Sequence, residues 1–90
     1  MYPGYKPIKV MLSQVQKKTL LNLAKGMKWF SLQEDRFGYS YILNRETGCG
    51  MFFKDGMDKL LNALPMSVYR QMSGSDYAII ANLYSAVKAQ

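Results

Sequence analysis

Six lysines with no carboxylate among them open this chain: Lys6, Lys9, Lys17, Lys18, Lys25 and Lys28 fall within residues 1–33, where neither Asp nor Glu occurs. Residues 34–90 hold six basic and six acidic side chains, so the first third alone carries the formal charge of +6. A local positive field attracts polyanions, and each phosphate it neutralises releases a condensed counterion. The absence of Arg from this third sets the kind of binding. An ammonium meets a phosphate as a point charge, whereas the flat fork of Arg is what reads a guanine edge. Binding through these lysines is expected to be salt-sensitive and weakly selective, unless Arg36 or Arg45 on later loops reaches a base.

Other chemistry is scarce. With no His and a single Cys49, the chain can form no internal disulfide, cannot build the usual zinc sites and has no imidazole to activate the thiol. Cys49 is expected to be a buried, inert thiol. Gly48 and Gly50 beside it read as a hairpin turn or bulge, because no helix N-terminus or P-loop lysine follows to make a phosphate loop. The six carboxylates are scattered through turn and cap contexts and suggest no acid/base pair. We therefore expect no catalytic residues, no metal and no cofactor, and a protein that is not an enzyme.

The aromatic residues Trp29, Phe30, Phe37, Tyr39, Tyr41, Phe52 and Phe53 could stack unpaired bases if several stood on an open sheet face. Core packing is the stronger claim on them, since a chain of 90 residues buries only a little over ~60% of its unfolded surface and needs its large side chains inside. Alternation places Trp29, Ser31 and Gln33 on one face and Phe30 and Leu32 on the other. Trp29, next to Lys28, is the residue that would join the lysines as a contact if its face is the open one.

The elements that must position these groups follow from periodicity. Pro3, Gly4 and Pro7 make residues 1–7 an irregular arm bearing Tyr2, Tyr5 and Lys6. Ile8, Val10 and Leu12 alternate with Lys9 and Met11, the pattern of a short strand with Lys9 outward. Ser13 and Gln16 then form a capping box for a helix reaching about Lys25, with Gly26 expected to end it in the left-handed conformation. On that helix Val15, Thr19, Leu20, Leu23 and Ala24 share one side, and Lys17, Lys18 and Lys25 the other, around Leu21. Trp29–Gln33, Tyr39–Asn44 and Cys49–Phe53 read as a three-stranded meander with turns at Glu34–Gly38 and Asn44–Gly48. Asp55 is placed to cap a helix through Leu64, Pro65 to begin a short helical turn, and Ser75 to cap a last helix with an apolar stripe at Ile79, Ile80, Leu83, Tyr84 and Val87.

Residues 8–26, IKVMLSQVQKKTLLNLAKG, resemble the strand and first helix of ribbon-helix-helix repressors, in which Lys9 and Met11 would face a DNA groove. That arrangement needs a second helix from about Ser31, where Ser31 and Glu34 could form a capping box. Gly38 and the β-prone Tyr39–Leu43 segment predict strand instead, so the resemblance does not extend to membership.

The sequence thus predicts one small α+β domain over residues 1–90: a short N-terminal strand, a basic amphipathic helix, a three-stranded antiparallel meander and two or three C-terminal helices packed on the sheet. Its expected task is non-catalytic binding of nucleic acid backbone through Lys6, Lys9, Lys17, Lys18, Lys25 and Lys28, with Trp29 beside them. The alternative is a protein-interaction module, such as a regulator, inhibitor or assembly subunit of cellular or viral origin, whose basic face meets an acidic partner. Seven methionines and the small side of the last helix, Ala78, Ala81, Asn82, Ser85 and Ala89, would also suit a homodimer. No run approaches the ~18 apolar residues of a membrane span, and Met1–Pro7 lacks the apolar stretch of a secretory signal, so a reducing cytoplasmic setting is expected.

Overall fold

The computed structural model describes residues 8–88, leaving the proposed arm and Lys6 outside the described residues. Elements follow in the order β1 (Lys9–Met11), α1 (Gln14–Leu23), β2 (Phe30–Glu34), β3 (Tyr39–Asn44), β4 (Cys49–Met51), α2 (Phe53–Ala63), α3 (Met66–Gln71) and α4 (Gly74–Lys88). The α+β architecture expected from the sequence is the one observed.

β3 is the centre of the antiparallel sheet. Along one edge it pairs with β2, from Phe30 opposite Asn44 to Glu34 opposite Ser40. Its other edge is shared end to end: β1 lies along Tyr39–Tyr41, and β4 along Ile42–Asn44. Residues directly opposite one another in a ladder share a face. Val10, Phe30, Leu32, Ser40, Ile42, Asn44 and Met51 therefore point to one side, where the helices lie, and Lys9, Met11, Ser31, Gln33, Tyr39, Tyr41 and Leu43 to the other.

Two glycines with positive φ close the hairpins. Gly38 (φ +89°) ends the β2–β3 loop, in which the Asp35 carboxylate accepts the N–H groups of Phe37 (2.9 Å) and Tyr39 (3.0 Å). Gly48 (φ +75°) ends the β3–β4 loop, where Asn44 Oδ1 accepts the Glu46 N–H and the Asn44 carbonyl accepts the Gly48 N–H at 2.8 Å. A residue with a Cβ would be strained at either position.

The capping box of α1 forms as expected, with Ser13 Oγ accepting from the Gln16 N–H and the Gln16 side chain accepting from the Ser13 N–H. Thr19, Leu20, Leu23 and Ala24 are buried; Val15, expected with them, is exposed in the first turn. Gly26 is not left-handed: α1 stops at Leu23 with Ala24 as its cap, and a further turn follows through Met27 N–H to Ala24 O (2.9 Å). β4 ends at Met51 rather than Phe53, because Phe53 already belongs to α2 and is fully buried. Asp55 accordingly lies in the first turn of α2 instead of capping it, and Ser73 rather than Ser75 accepts the Asp76 N–H at the start of α4.

Leu20, Ile42, Phe53, Met57 and Leu60 are fully buried, and Ile80, Leu83 and Val87 of α4 pack with them. Gly56 lets α2 approach β3: a Cβ there would come within 2.5 Å of Ile42 Cδ1 and 3.1 Å of its Cγ2. Asp58 of α2 is held from two sides, by Lys54 Nζ at 2.6 Å and by the Tyr84 hydroxyl of α4. Those bonds raise the pKa of both Lys54 and Tyr84, since each favours the protonated donor. β1 pairs within its own chain and Ser31 lies in a strand, so the second helix of a ribbon-helix-helix unit is not formed. Among the described residues, no helix is long and apolar enough to cross a membrane.

Candidate anion-binding groove

The lysines divide into two sets once folded. Lys9 Nζ lies 3.0 Å from Asp35 Oδ2, and Lys17 Nζ lies 2.7 Å from Glu34 Oε2. The acid-free helix thus meets one counter-charge in space, at Lys17, from the β2–β3 hairpin, where local sequence offers none. Lys18, Lys25 and Lys28 are exposed and make no ion pair with a described residue. Trp29 is only 8% exposed. It meets Phe30 edge-on with ring centroids 5.5 Å apart, and Lys59 Nζ sits 4.6 Å from its ring centroid, so its place is in the core and not on the surface beside Lys28.

Lys25 and Lys28 come together through the connection from α1 to β2. The chain makes two successive turns, Met27 N–H to Ala24 O and Phe30 N–H to Met27 O (3.2 Å), which turn Met27, Trp29 and Phe30 toward the apolar interior and leave both lysines outside. Arg45 arrives from the β3–β4 loop. Its N–H bonds to the Trp29 carbonyl at 2.7 Å, extending the β2–β3 ladder one pair beyond Phe30 and Asn44.

These segments bound an open groove of about 590 Å³. Lys25, Lys28 and Arg45 supply its cations, Leu21, Met27 and Leu32 much of its apolar wall, and Ser31 a hydroxyl. No carboxylate lines it. The nearby end of α1 contributes roughly half a negative charge, less than one of the three cations offsets. The net field in the groove is therefore positive, with two flexible point charges and one guanidinium able to take two phosphate oxygens at once. Leu21, 51% exposed, lies on its wall although leucine at that helical position has no partner in the core.

Asp35 of the hairpin is held in its ionised form. Partial desolvation pushes the Asp35 carboxyl up, but the Lys9 ammonium and the N–H groups of Tyr39 and Phe37 together bring it below its ordinary value. Asp35 thus serves the turn and the ion pair at once.

The aromatic residues separate as well. Trp29, Phe30 and Phe53 are core, whereas Phe37 (67% exposed), Tyr39 (43%) and Phe52 are on the surface and Tyr41 is half-buried. Arg36 lies over the Phe37 ring at the hairpin tip, 4.9 Å from its centroid. Cys49 is exposed rather than buried, because it begins the short β4 at the end of the sheet. Among the described residues, no group of three or more His, Cys, Asp or Glu is placed to hold a metal ion.

The charge pattern pointed to Lys25 and Lys28 together with Lys6, Lys9, Lys17 and Lys18, and Arg45 joins them only through strand register. Its signal was the pairing of two strands: if Phe30 opposes Asn44, residue 45 must return to the end of α1. No protein-family model, curated protein or solved structure matches this chain.

Proposed function

We propose that this domain is a non-catalytic binder of nucleic acid backbone, and that the groove of Lys25, Lys28 and Arg45 carries the binding. One observation supports the reading above the others: three cations from two separate segments converge on a single open groove whose lining has no carboxylate, while Lys9 and Lys17 are already neutralised elsewhere. Lys6 lies outside the described residues and Trp29 is in the core, so neither is needed by the proposal. Phosphate contacts of this kind position a ligand without reading its sequence, and the affinity they give falls linearly on a log–log salt plot.

The test is the affinity of a mixed-sequence duplex as salt rises from ~50 mM, measured for the wild type and for a Lys25→Gln, Lys28→Gln, Arg45→Gln variant. The wild type should give a slope of about −0.9 for each phosphate neutralised, and the triple variant should flatten it by about 2 to 3. Lys9→Gln with Lys17→Gln should leave most of the slope in place. Equal slopes for wild type and triple variant would remove the groove from the account.

A second reading has one observation in its favour. Among the described residues β2 pairs on one edge only, and the groove runs beside its other edge. An extended acidic peptide could add there as a strand, its carboxylates meeting the same cations. Binding of a poly-glutamate peptide with no binding of either DNA or RNA would select this reading.

A further inference from the structure

Among the described residues, the helices lie on one side of the sheet, and the outward residues of the strands form a surface of their own. Along β3 that row reads Tyr39, Tyr41 and Leu43, flanked by Lys9 and Met11 of β1 and by Ser31 and Gln33 of β2. It contains an exposed tyrosine, Tyr39, a half-buried one, Tyr41, an exposed methionine and a lysine, and no carboxylate at any outward strand position. Ser31, only 8% exposed, belongs both to this row and to the lining of the cationic groove, so the groove meets the outward face of the sheet along β2.

We propose that the open face of the sheet is a base-stacking platform and that the ligand of the groove is a single strand rather than a duplex. This rests on the proposed binding of nucleic acid backbone and names the class of nucleic acid. Charge selects the occupant: the platform adjoins three unpaired cations at one end, and at its other end Asp35 is already matched by Lys9. Tyr39 and Tyr41 are two residues apart on one strand, a separation of about 7 Å, which lets each ring take one base of a strand whose bases are splayed apart. A duplex keeps its bases stacked on one another and would use the groove alone. The phosphates of a single strand would lie against Lys25, Lys28 and Arg45 while its bases cross β2 toward β3.

The test compares a labelled single strand of about 12 nucleotides, within the site sizes of single-strand binders, with the duplex of the same sequence. The wild type should prefer the single strand. Tyr39→Ala and Tyr41→Ala should each weaken single-strand binding about five-fold or more while leaving duplex affinity and the salt slope unchanged. Tyr39→Phe and Tyr41→Phe, which keep the rings and the packing, should bind as the wild type does and so separate loss of stacking from loss of fold. Alanine variants that bind the single strand normally would overturn the platform. If duplex binding remained steeply salt-dependent through the groove, the proposed function would survive that result. A wild type that sediments as a dimer, and as a monomer once Tyr39 and Tyr41 are alanine, would overturn it too by giving the face to a second copy. A wild type that binds neither nucleic acid would remove both readings together.

Discussion

At the scale of single residues, the charge pattern of the first third is resolved by where each lysine finds a partner. Lys9 and Lys17 are tied to Asp35 and Glu34, and ion pairs near the surface contribute little to stability because solvent screens them. Their main effect is to remove two cations from the surface field. Asp35 also carries a pH dependence. Its folded pKa lies below the unfolded value of ~3.9, so the stability it lends is fully present above that value and is lost as pH falls through the folded pKa. Asp35→Asn keeps an acceptor for the Phe37 and Tyr39 N–H groups but cannot titrate. Its thermal melts should show a shallower loss of stability below pH ~4 than the wild type, and parallel acid profiles would refute the assignment. Ser40 supplies a second residue-scale prediction. Its hydroxyl is buried on the inner face of β3 without a hydrogen-bond partner among the described residues, which leaves its desolvation uncompensated. Ser40→Ala should raise stability by about 1 kcal/mol, read as a higher midpoint in urea, whereas a fall of that size would mean the hydroxyl is satisfied in solution.

At the scale of elements, the close approach of α2 to β3 is the most exacting contact in the fold. Gly56→Ala would drive its Cβ into Ile42, which is fully buried and bounded by the helices, so neither side can yield freely. Overpacking of this sort costs about 1–3 kcal/mol, and each kcal/mol lowers the melting temperature of a domain this size by about 4–8 °C. A variant that melts with the wild type would show that α2 can shift away from the sheet. The elements were largely legible in the sequence where local chemistry decides them. The capping box at Ser13 and Gln16, the alternation of β3 and the apolar stripe of α4 each specify their structure within a few residues. Their ends were less so. Gly26 has an ordinary backbone conformation because Ala24 already closes α1, and Phe53 entered α2 because burial against β3 outweighed the alternation that had placed it in a strand. The site was legible in part. Lys25 and Lys28 were visible only as two of six lysines named together; the pairing of Lys17 with Glu34 spans 17 residues, and the arrival of Arg45 depends on strand register. Contacts that close only in three dimensions leave no local mark.

At the scale of the whole molecule, the domain has two unlike sides. The helices cover one face of the sheet and enclose the core, and the other face carries Tyr39, Tyr41 and Met11 outward. The cationic groove sits where the two meet, at the free edge of β2 and the end of α1. The net charge of +6 attracts anions; under the proposed function the groove would give that attraction a location. The fold neutralises lysines near the hairpin and leaves uncovered those near the α1–β2 connection. The most direct measurement is an amide chemical-shift titration of the wild type with a short duplex at ~50 mM salt. Shifts should concentrate at Lys25–Ser31 and at Arg45, and they should recede together as salt is raised. Shifts confined to α3 and α4, or spread evenly over all the lysines, would contradict a groove at this site.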